Sequence, residues 1–362
     1  MMRKQQLILL ALFSIVIVTG CSLIGDVPRR GPYLQSVTPD SVWVVWDTSQ
    51  PSTGRLEYGF TPELGQSVQE RNVSTHHELQ LTGLRPYTSY TYQVDGGQQG
   101  SFRTAAGPAQ SSFRFAVYGD TRSGGAVHRR IVRRVLEAGP DFVLHTGDMV
   151  EFGEYAAEWD DFFRISAPLL RTAPFYPTLG NHEDQHANYF DAFHLPGNER
   201  YYTFDYGNAR FISLKVDGYS PEGYFPEQEQ LDWLEEQLAA NHKPWLFVFF
   251  HLAMFTSREE PGFLEVGVRS RLEPLFERYG VDAVFMGHAH SYERILVNGI
   301  TYIVAAGGGA PLYDLVAPEP GSQAAASVYH YVLIDIDGDI MTGTAFNARG
   351  EVIDSFRLAA SP

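Results

Sequence analysis

Six side chains of types that bind metal ions follow apolar runs in the second part of the sequence. They are Asp120, Asp148, Asn181, His251, His288 and His290, and a Gly immediately precedes four of them. Carboxylate and amide oxygens combined with imidazole nitrogens form a donor set that suits iron, manganese or zinc. The residue types therefore indicate a metal site, provided that the chain brings the six together.

The elements that precede these side chains are predicted to deliver them to one place. Apolar runs at 113–118, 142–144, 175–179, 245–250 and 281–286 predict buried strands. In an open α/β sheet the carboxyl ends of the strands face one crevice, where ligands bind. A Gly at a strand end allows the sharp turn and the close backbone approach that such a site needs.

Each motif alone is weak evidence for a site. Asp120 by itself would more often be the N-cap of the helix predicted from 126, and His251 by itself a buried core histidine. The pair His288 and His290 is more specific, because residues i and i+2 of an extended chain share a face. The five strand ends together favour one shared site over coincidence.

Helix and strand patterns divide the chain, which has 362 residues, into two domains. From 113 to 362, helices are predicted at 126–138, 154–170, 227–240 and 263–279, and strands at 300–306, 329–335, 340–345 and 352–358 follow them. This is an α/β (α+β) pattern, with helices on a sheet that ends in antiparallel strands. Residues 105–112 are small and polar and are predicted to be a linker.

Residues 30–104 contain strand and turn patterns only. Strands are predicted at 41–46, 55–60, 77–81, 90–94 and 101–104, which indicates an all-β sandwich. The stretch from Leu84 to Val94 resembles the tyrosine-corner strand of a fibronectin type III domain, in which Tyr90 or a neighbour bonds back to the backbone. The alternative for Tyr90 is an ordinary core aromatic.

The N-terminal sequence predicts that the protein is exported from the cytoplasm. Residues 1–20 have a positive start at Arg3 and Lys4 and an apolar run at 7–18 that is short for a membrane span, so a signal peptide is expected. The small residues before Cys21, the only Cys, resemble a bacterial lipobox. We therefore expect lipid on Cys21, a tether at 21–29, and a place in the cell envelope. Ser22 favours the outer membrane. The alternative is an uncleaved anchor helix with a buried Cys.

Charge excludes one class of partner. The formal net charge is −16, and removal of residues 1–20 would make it more negative. Binding of nucleic acid through a basic face is therefore not expected. Outside the N-terminal run, no apolar stretch has the length needed to span a membrane.

The order of these motifs resembles the calcineurin-like metallophosphoesterases, and within them the purple acid phosphatases. The motifs are Gly119-Asp120, Gly147-Asp148, Gly180-Asn181-His182-Glu183, Val248-Phe249-Phe250-His251 and Gly287-His288-Ala289-His290, supported by 202–207 and 291–294. The resemblance covers nearly the whole exported chain, including the fibronectin-like region. It implies a four-layer αββα domain with a two-metal centre at the strand ends.

The resemblance also implies a role for each residue. Asp148 would bridge two metal ions of iron, manganese or zinc; Asn181, His251 and His288 would complete one site, and Asp120 and His290 would serve the other. A water shared by the ions would become the nucleophile at neutral pH. His182 would face the substrate and protonate the leaving group, or act by electrostatic stabilisation.

Two positions depart from the family pattern. Glu151 stands where purple acid phosphatases place the Tyr whose phenolate gives their iron its colour, so a purple protein is not expected. Arg122 stands where many relatives place a His. Glu151 is either an oxygen ligand or a solvated carboxylate. Arg122, which is always protonated, either grips a phosphate oxygen or pairs with Glu151.

Two functions of different classes remain open from the sequence. The first is hydrolysis of a phosphorylated small molecule, most naturally a phosphomonoester, although a phosphodiester is possible. The second is a lipid-anchored binding or adhesion protein on a decayed scaffold, suggested by the fibronectin-like region and by the incomplete second metal site.

Overall fold

The computed structural model describes residues 29–217, 226–258 and 263–360. Cys21, the predicted signal peptide and nearly all of the predicted tether lie outside the described residues, so those predictions stay as they were. No helix among the described residues has both the length and the apolar character for crossing a bilayer.

The first part of the chain forms two antiparallel sheets that share a core. One sheet is β1 (Arg30–Gln35), β2 (Ser41–Ser52) and β5 (Ser74–Thr82), and the other is β4 (Gln66–Gln69), β3 (Arg55–Gly59), β6 (Ser89–Val94) and β7 (Gly100–Arg103), in that spatial order. The five predicted strands are present. The sequence missed β1 and β4, because β1 contains a Gly-Pro pair and β4 is a short polar strand with no apolar period.

Tyr90 makes the backbone contact that the sequence suggested. The backbone N–H of Arg85 donates to the Tyr90 hydroxyl at 2.9 Å. The ring itself is buried and stacks on Phe102, with 5.4 Å between ring centres. The hydroxyl is therefore satisfied while the ring contributes to the core of the sandwich.

The second part contains two larger sheets. The six-stranded sheet has the order β10 (Phe175–Pro177), β9 (Phe142–His145), β8 (Ser112–Tyr118), β18 (His330–Asp337), β19 (Ile340–Asn347) and β20 (Val352–Ala359). The seven-stranded sheet has the order β11 (Tyr202–Tyr206), β12 (Ala209–Ser213), β13 (Trp245–Phe250), β14 (Ala283–Met286), β16 (Ile300–Ala305), β15 (Tyr292–Val297) and β17 (Ser322–Ala326). β8, β9 and β10 are parallel, as are β12, β13, β14 and β16.

Five helices accompany these sheets. They are α1 (Gly125–Ala138), α2 (Ala156–Leu170), α3 (Ala187–Phe190), α4 (Gln228–Ala239) and α5 (Phe263–Tyr279). Aromatic rings of the two sheets interleave in the space between the sheets. The ring centre of Phe115 lies 5.2 Å from that of Phe211 and 5.7 Å from that of Phe285. α1 and α2 share the core of the six-stranded sheet, and α4 and α5 cover the other face of the seven-stranded sheet. The predicted four-layer αββα arrangement is confirmed.

The structure corrects several element predictions. α2 begins at Ala156, not at 154, and the strand predicted at 281–286 begins at Ala283. The strands β11, β12, β15 and β17 were not predicted from the sequence. α1 has Gly124 as its N-cap, so the interpretation of Asp120 as a helix cap is wrong.

The two parts of the chain are joined by buried polar contacts. Tyr33 donates its hydroxyl proton to the carbonyl of Ala192 at 2.5 Å, and Tyr92 donates to the carbonyl of Arg171 at 3.0 Å. Ala105, in the segment predicted as a linker, is buried and bonds to the backbone of Thr38. The N-terminal sandwich is therefore packed directly on the second part.

Candidate metal centre

Strand ends from both large sheets meet at one site. Asp120, Asp148 and Asn181 follow β8, β9 and β10 of the six-stranded sheet. His251 and His288 follow β13 and β14 of the seven-stranded sheet, and His290 lies two residues further on. The parallel strands of each sheet end at the same edge, which explains why distant residues converge there.

Three of these residues adopt a backbone conformation that is rare for residues other than glycine. The φ angles of Asp120, Asp148 and His288 are 57°, 57° and 67°. Non-glycine residues in this left-handed region concentrate at functional sites, where the surrounding structure enforces the strain. Gly147 has a φ of 87°, and a Cβ there would lie 2.8 Å from the Gly180 backbone nitrogen, so the loops approach closely because that residue is Gly.

Acceptor atoms converge around His251. Its Nδ1–H donates to the carbonyl of Thr146 at 2.8 Å, which leaves Nε2 with a lone pair. That Nε2 lies 3.0 Å from Asn181 Oδ1, 3.2 Å from His288 Nδ1 and 3.4 Å from Asp148 Oδ1. Lone pairs that face one another in a buried site repel unless a cation lies between them, so this arrangement fits a metal ion.

A second group of donors lies on the other side of Asp148. Ligand atoms of Asp120, Asp148 and His251 all lie within 4.8 Å of one another. His290 donates its Nδ1–H to the carbonyl of Pro311 at 2.7 Å, and its Nε2 lies 3.3 Å from Asp120 Oδ1. The free nitrogen of His290 is thus directed at a carboxylate that a second ion would share.

Burial shifts the pKa values of these groups toward their uncharged forms; metal binding would reverse the shift of the carboxyl and reinforce those of the histidines. Burial, and then the charge of Asp148, raise the pKa of Asp120 well above its ordinary value. Burial lowers the pKa of His251 and His288 to about 3 and that of His290 to about 4, and the charge of Arg258 contributes to the last two shifts. A divalent cation favours ionised carboxylates and neutral imidazoles, so it would compensate the cost of burying this set.

Arg122 and Glu151 are in contact with each other. Nη1 of Arg122 donates to Glu151 Oε2 at 2.7 Å, and Ser123 donates its hydroxyl proton to the same oxygen. Although burial opposes the shift, these two bonds hold the pKa of Glu151 below its usual value. Nε of Arg122 also lies 3.4 Å from Asp148 Oδ2. Of the two roles weighed for Arg122, the contacts show the pairing, and ligation by Glu151 stays a prediction.

His182 lies beside the converging donors and remains accessible. Its backbone N–H donates to Asp148 Oδ1 at 3.1 Å, and its Nδ1–H donates to the carbonyl of Glu151 at 2.7 Å. Nε2 is then 3.8 Å from Asp148 Oδ2. The side chain is 22% exposed, whereas that of Asp148 is 1% exposed. One bond thus fixes the backbone of His182 and the other orients its imidazole, while Nε2 can reach a bound molecule.

Glu183 is a component of the site whose role the sequence did not reveal. Its fully buried carboxylate accepts backbone N–H bonds from Asp148, Met149, Val150 and Gly180, at 2.9, 2.7, 3.3 and 2.7 Å. These bonds connect the loops after β9 and β10. Burial and the charge of Asp148 raise the pKa of Glu183 to about 8, although the four bonds oppose that shift. Its place after Asn181 and His182 was the only signal available.

Glu293 and Arg294, in the stretch after His290, have separate partners. Arg294 pairs with Asp354, with 2.6 Å between Nε and Oδ2. Glu293 is buried and accepts the backbone N–H of Ser257 at 2.7 Å and its hydroxyl proton at 2.5 Å. Glu293 thus fixes the loop that follows β13 and His251.

Known proteins resemble this chain in sequence and in structure. Residues 113–292 match the calcineurin-like phosphoesterase family. Human acid phosphatase type 7 is 28% identical over 329 residues, which cover 79% of this chain and 75% of that protein. An Arabidopsis thaliana protein named probable inactive purple acid phosphatase 1 is 26% identical over 81% of this chain and 59% of its own length.

A solved structure extends the likeness beyond the matched region. The purple acid phosphatase PPD1 from yellow lupin seeds superposes with a TM-score of 0.77 at 22% identity, over 93% of this chain and 75% of that chain. At this identity the superposition supports the fold. It includes the N-terminal sandwich as well as the two larger sheets.

The matched region and the converging donors define a calcineurin-like metallophosphoesterase domain. Within that family the chain is purple acid phosphatase-like, and it is a metal-dependent phosphoesterase. The family uses two metal ions, and the donor set on this chain fits that requirement, with Asp148 close to both Asp120 and His251.

Proposed function

We propose that the protein hydrolyses phosphate monoesters of small molecules at a two-metal centre. The observation behind the proposal is the convergence of oxygen and nitrogen donors from five strand ends. Asp148 lies within reach of both groups, because its ligand atom is within 4.8 Å of those of Asp120 and His251. No other group of three or more His, Cys, Asp or Glu side chains with metal-binding spacing occurs among the described residues.

Each side chain receives a proposed role. Asn181, His251 and His288 would hold one ion, Asp120 and His290 the other, and Asp148 both. When bound, the ions would supply a water of lowered pKa and neutralise charge on the phosphoryl oxygens. His182, oriented by the Glu151 carbonyl, would donate a proton to the leaving oxygen from Nε2.

The proposed role of Arg122 follows from its contacts. It lies between two carboxylates, 2.7 Å from Glu151 and 3.4 Å from Asp148. Its charge would attract the Asp148 carboxylate and hold Glu151 in place. The guanidinium has five N–H donors, so contact with a phosphate oxygen would not require loss of the bond to Glu151.

The direct test combines metal content with activity. The purified protein is assayed with an aryl monophosphate and a bis-aryl phosphate, then chelated, and then supplied with manganese, iron or zinc. We expect about two ions per chain, loss of hydrolysis on chelation and recovery on resupply, with the monoester turned over faster. If neither ester is hydrolysed with any of the three metals, the proposed activity is wrong.

The Arg122–Glu151 pair is the specific reason to keep a second candidate, a binding protein on a scaffold that has lost catalysis. Glu151 and Arg122 occupy positions where relatives place ligands, and the two side chains pair with each other. One curated relative is also named probable inactive. This candidate predicts at most one ion per chain, and it predicts that Asp148→Ala leaves the binding of a partner unchanged.

We also propose that the protein is anchored to the bacterial cell envelope by lipid on Cys21. Support comes from the apolar run at 7–18 and the small residues before the single Cys. Mass spectrometry of the mature N-terminus and detergent phase partitioning test this directly. Cys21→Ser should move the protein to the aqueous phase. An unmodified N-terminus at Met1 would contradict the proposal.

We infer further that the sandwich at 30–104 is of the fibronectin type III class. Support comes from its three-stranded and four-stranded antiparallel sheets and from the Tyr90 contact with the backbone of Arg85. Its proposed role is support of the phosphoesterase domain. Removal of a hydroxyl that bonds to the second part, by Tyr33→Phe or Tyr92→Phe, should lower the melting temperature without changing KM.

A further inference from the structure

A cation is stacked beside the metal centre at a position to which the proposed function gives no role. The guanidinium carbon of Arg258 lies 4.0 Å from the centre of the Tyr313 ring. That ring is stacked on His290, with 4.2 Å between ring centres and 14° between planes. The backbone N–H of Tyr313 also donates to the carbonyl of His290 at 3.1 Å. A single aromatic ring therefore links Arg258 to a proposed metal ligand.

Hydrogen bonds hold the loops that contain Arg258 and Tyr313 in place. Glu293 holds Ser257 through its backbone N–H and its hydroxyl, and the Ser257 carbonyl accepts the N–H of Val316 at 2.8 Å. The backbone N–H of Arg258 donates to the Thr256 hydroxyl at 3.1 Å. The loop that contains Arg258 and the loop that contains Tyr313 are thus connected through a buried carboxylate, which limits the ordering cost of binding.

The chemistry of the pair suits an anion. Stacking occupies the face of a guanidinium, whereas its N–H donors lie in the plane and match the geometry of phosphate oxygens. Arg122 is a first cation at the centre, beside Asp148 and Glu151. Attraction between charges is proportional to their product, so a further cation favours a dianionic phosphoryl group over a monoanionic one.

We propose that Arg258, held against Tyr313, binds the phosphoryl oxygens of the substrate and makes the site prefer monoesters to diesters. The inference rests on the proposed hydrolysis and makes it more specific. A phosphate monoester has two negative charges near neutral pH, and a diester has one. Tyr313 is a positioning residue in this proposal, because it acts through Arg258.

The test compares Arg258→Gln with wild type on an aryl monophosphate and on the bis-aryl phosphate with the same leaving group. We expect kcat/KM for the monoester to fall by about 10- to 100-fold, mostly through KM, and that for the diester to change much less. Arg258→Lys should recover part of the loss, because charge returns without the planar stack. Tyr313→Phe should resemble wild type, and Tyr313→Leu should resemble Arg258→Lys.

A matched control exists in the same domain. Arg278 also lies over a tyrosine ring, 5.0 Å from the centre of Tyr279, and pairs with Glu235 on the surface. Arg278→Gln should leave both substrates unaffected. Equal losses for monoester and diester in Arg258→Gln, or a loss as large in Arg278→Gln, would overturn the proposal.

A binding measurement separates this inference from the proposed activity. Inorganic phosphate is titrated by calorimetry into metal-loaded wild type and into metal-loaded Arg258→Gln. We expect affinity for phosphate to fall about 10-fold or more in the variant. Equal affinities overturn the role of Arg258. A protein that binds phosphate through Arg258 yet hydrolyses neither ester would retain the phosphate-binding role of Arg258 and reject the proposed hydrolysis.

Discussion

Two clusters of histidines and acids in this protein have opposite electrostatics. The interface cluster, formed by Asp47, His76, Glu78 and His194, joins the sandwich to the second part of the chain. His76 bonds to Asp47 at 2.7 Å and to Glu78 at 3.2 Å, and Glu78 bonds to His194 at 3.1 Å. In the metal centre, by contrast, His251 and His288 face each other and an amide oxygen.

The pKa values show the consequence. In the interface cluster, the bond to Asp47 and then that to Glu78 raise the pKa of His76 to about 9. Bonds from His194 and His76 lower the pKa of Glu78 to about 2. In the metal centre, burial lowers the pKa of His251 to about 3. A His–acid cluster that satisfies itself is structural, whereas one whose lone pairs converge without protons indicates a metal site.

The largest expected difference between the clusters comes from removing one aspartate from each. Asp148→Ala should reduce kcat/KM by more than about 10³-fold and lower the metal content, because it deletes the proposed bridge. Asp47→Ala should leave kcat/KM and metal content unchanged and lower only the melting temperature. Comparable loss of activity in both variants would remove the distinction.

Glu183→Gln tests how far the metal centre depends on the loops beneath it. Four backbone N–H groups donate to the Glu183 carboxylate. The amide of Gln would direct its own N–H groups at some of these donors, so the loops with Asp148 and Asn181 should shift. We expect metal affinity to fall about 10- to 100-fold in a metal titration. Glu70→Gln is the matched control, since Glu70 bonds to His77 within the sandwich at 2.7 Å. Unchanged affinity in Glu183→Gln would contradict the role given to it.

Glu78→Gln should affect stability and nothing else. The variant weakens bonds to His76 and His194, both of which are partly exposed, so the loss should be about 1 kcal/mol or less. For a chain of this size that corresponds to a fall in melting temperature of about 1–3 °C. Calorimetry measures it, and a change in kcat would show that the interface cluster does influence the site.

The smallest expected effect is the pH dependence of that stability difference. The pKa of Glu78 is lowered, so its contribution is present above the ordinary carboxylate pKa of 4.5 and is lost as pH falls through about 2. The pKa of His76 is raised, so its contribution is present below 6.5 and is lost as pH rises through about 9. The difference between wild type and Glu78→Gln should therefore be greatest between those ordinary values and shrink above about pH 9. A constant difference from pH 5 to 10 would refute the charge pairing.

The sequence predicted the metal centre more completely than its surroundings, for a physical reason. Asp120, Asp148 and His251 follow apolar runs whose strand character is local, and parallel strands bring their ends together. Glu183 is different, because its four bonds depend on how two loops lie against each other. The choice between the two roles weighed for Arg122 also depended on the position of Glu151, which only the folded chain shows.

The strand predictions also depended on how local the sequence signal is. Apolar strands such as β8, β13 and β14 were predictable, whereas the polar edge strands β4 and β17 have no apolar period. His194 lies close in sequence to the motif with His182, yet it contacts Glu78 and its ring centre lies 3.8 Å from that of Trp43 in the sandwich. Such contacts join residues more than a hundred positions apart, so local patterns do not reveal them.

The division of ligands between two sheets has a consequence for folding. Asp120, Asp148 and Asn181 extend from one sheet and His251 and His288 from the other, so bound ions would cross-link the halves of the αββα core. Opening either sheet would release the cations, so their binding free energy would add to the free energy of global unfolding. At a free ion concentration about 100 times Kd, that adds about 2.7 kcal/mol. The supply of metal ions would therefore determine the stability of the native state as well as its catalytic activity.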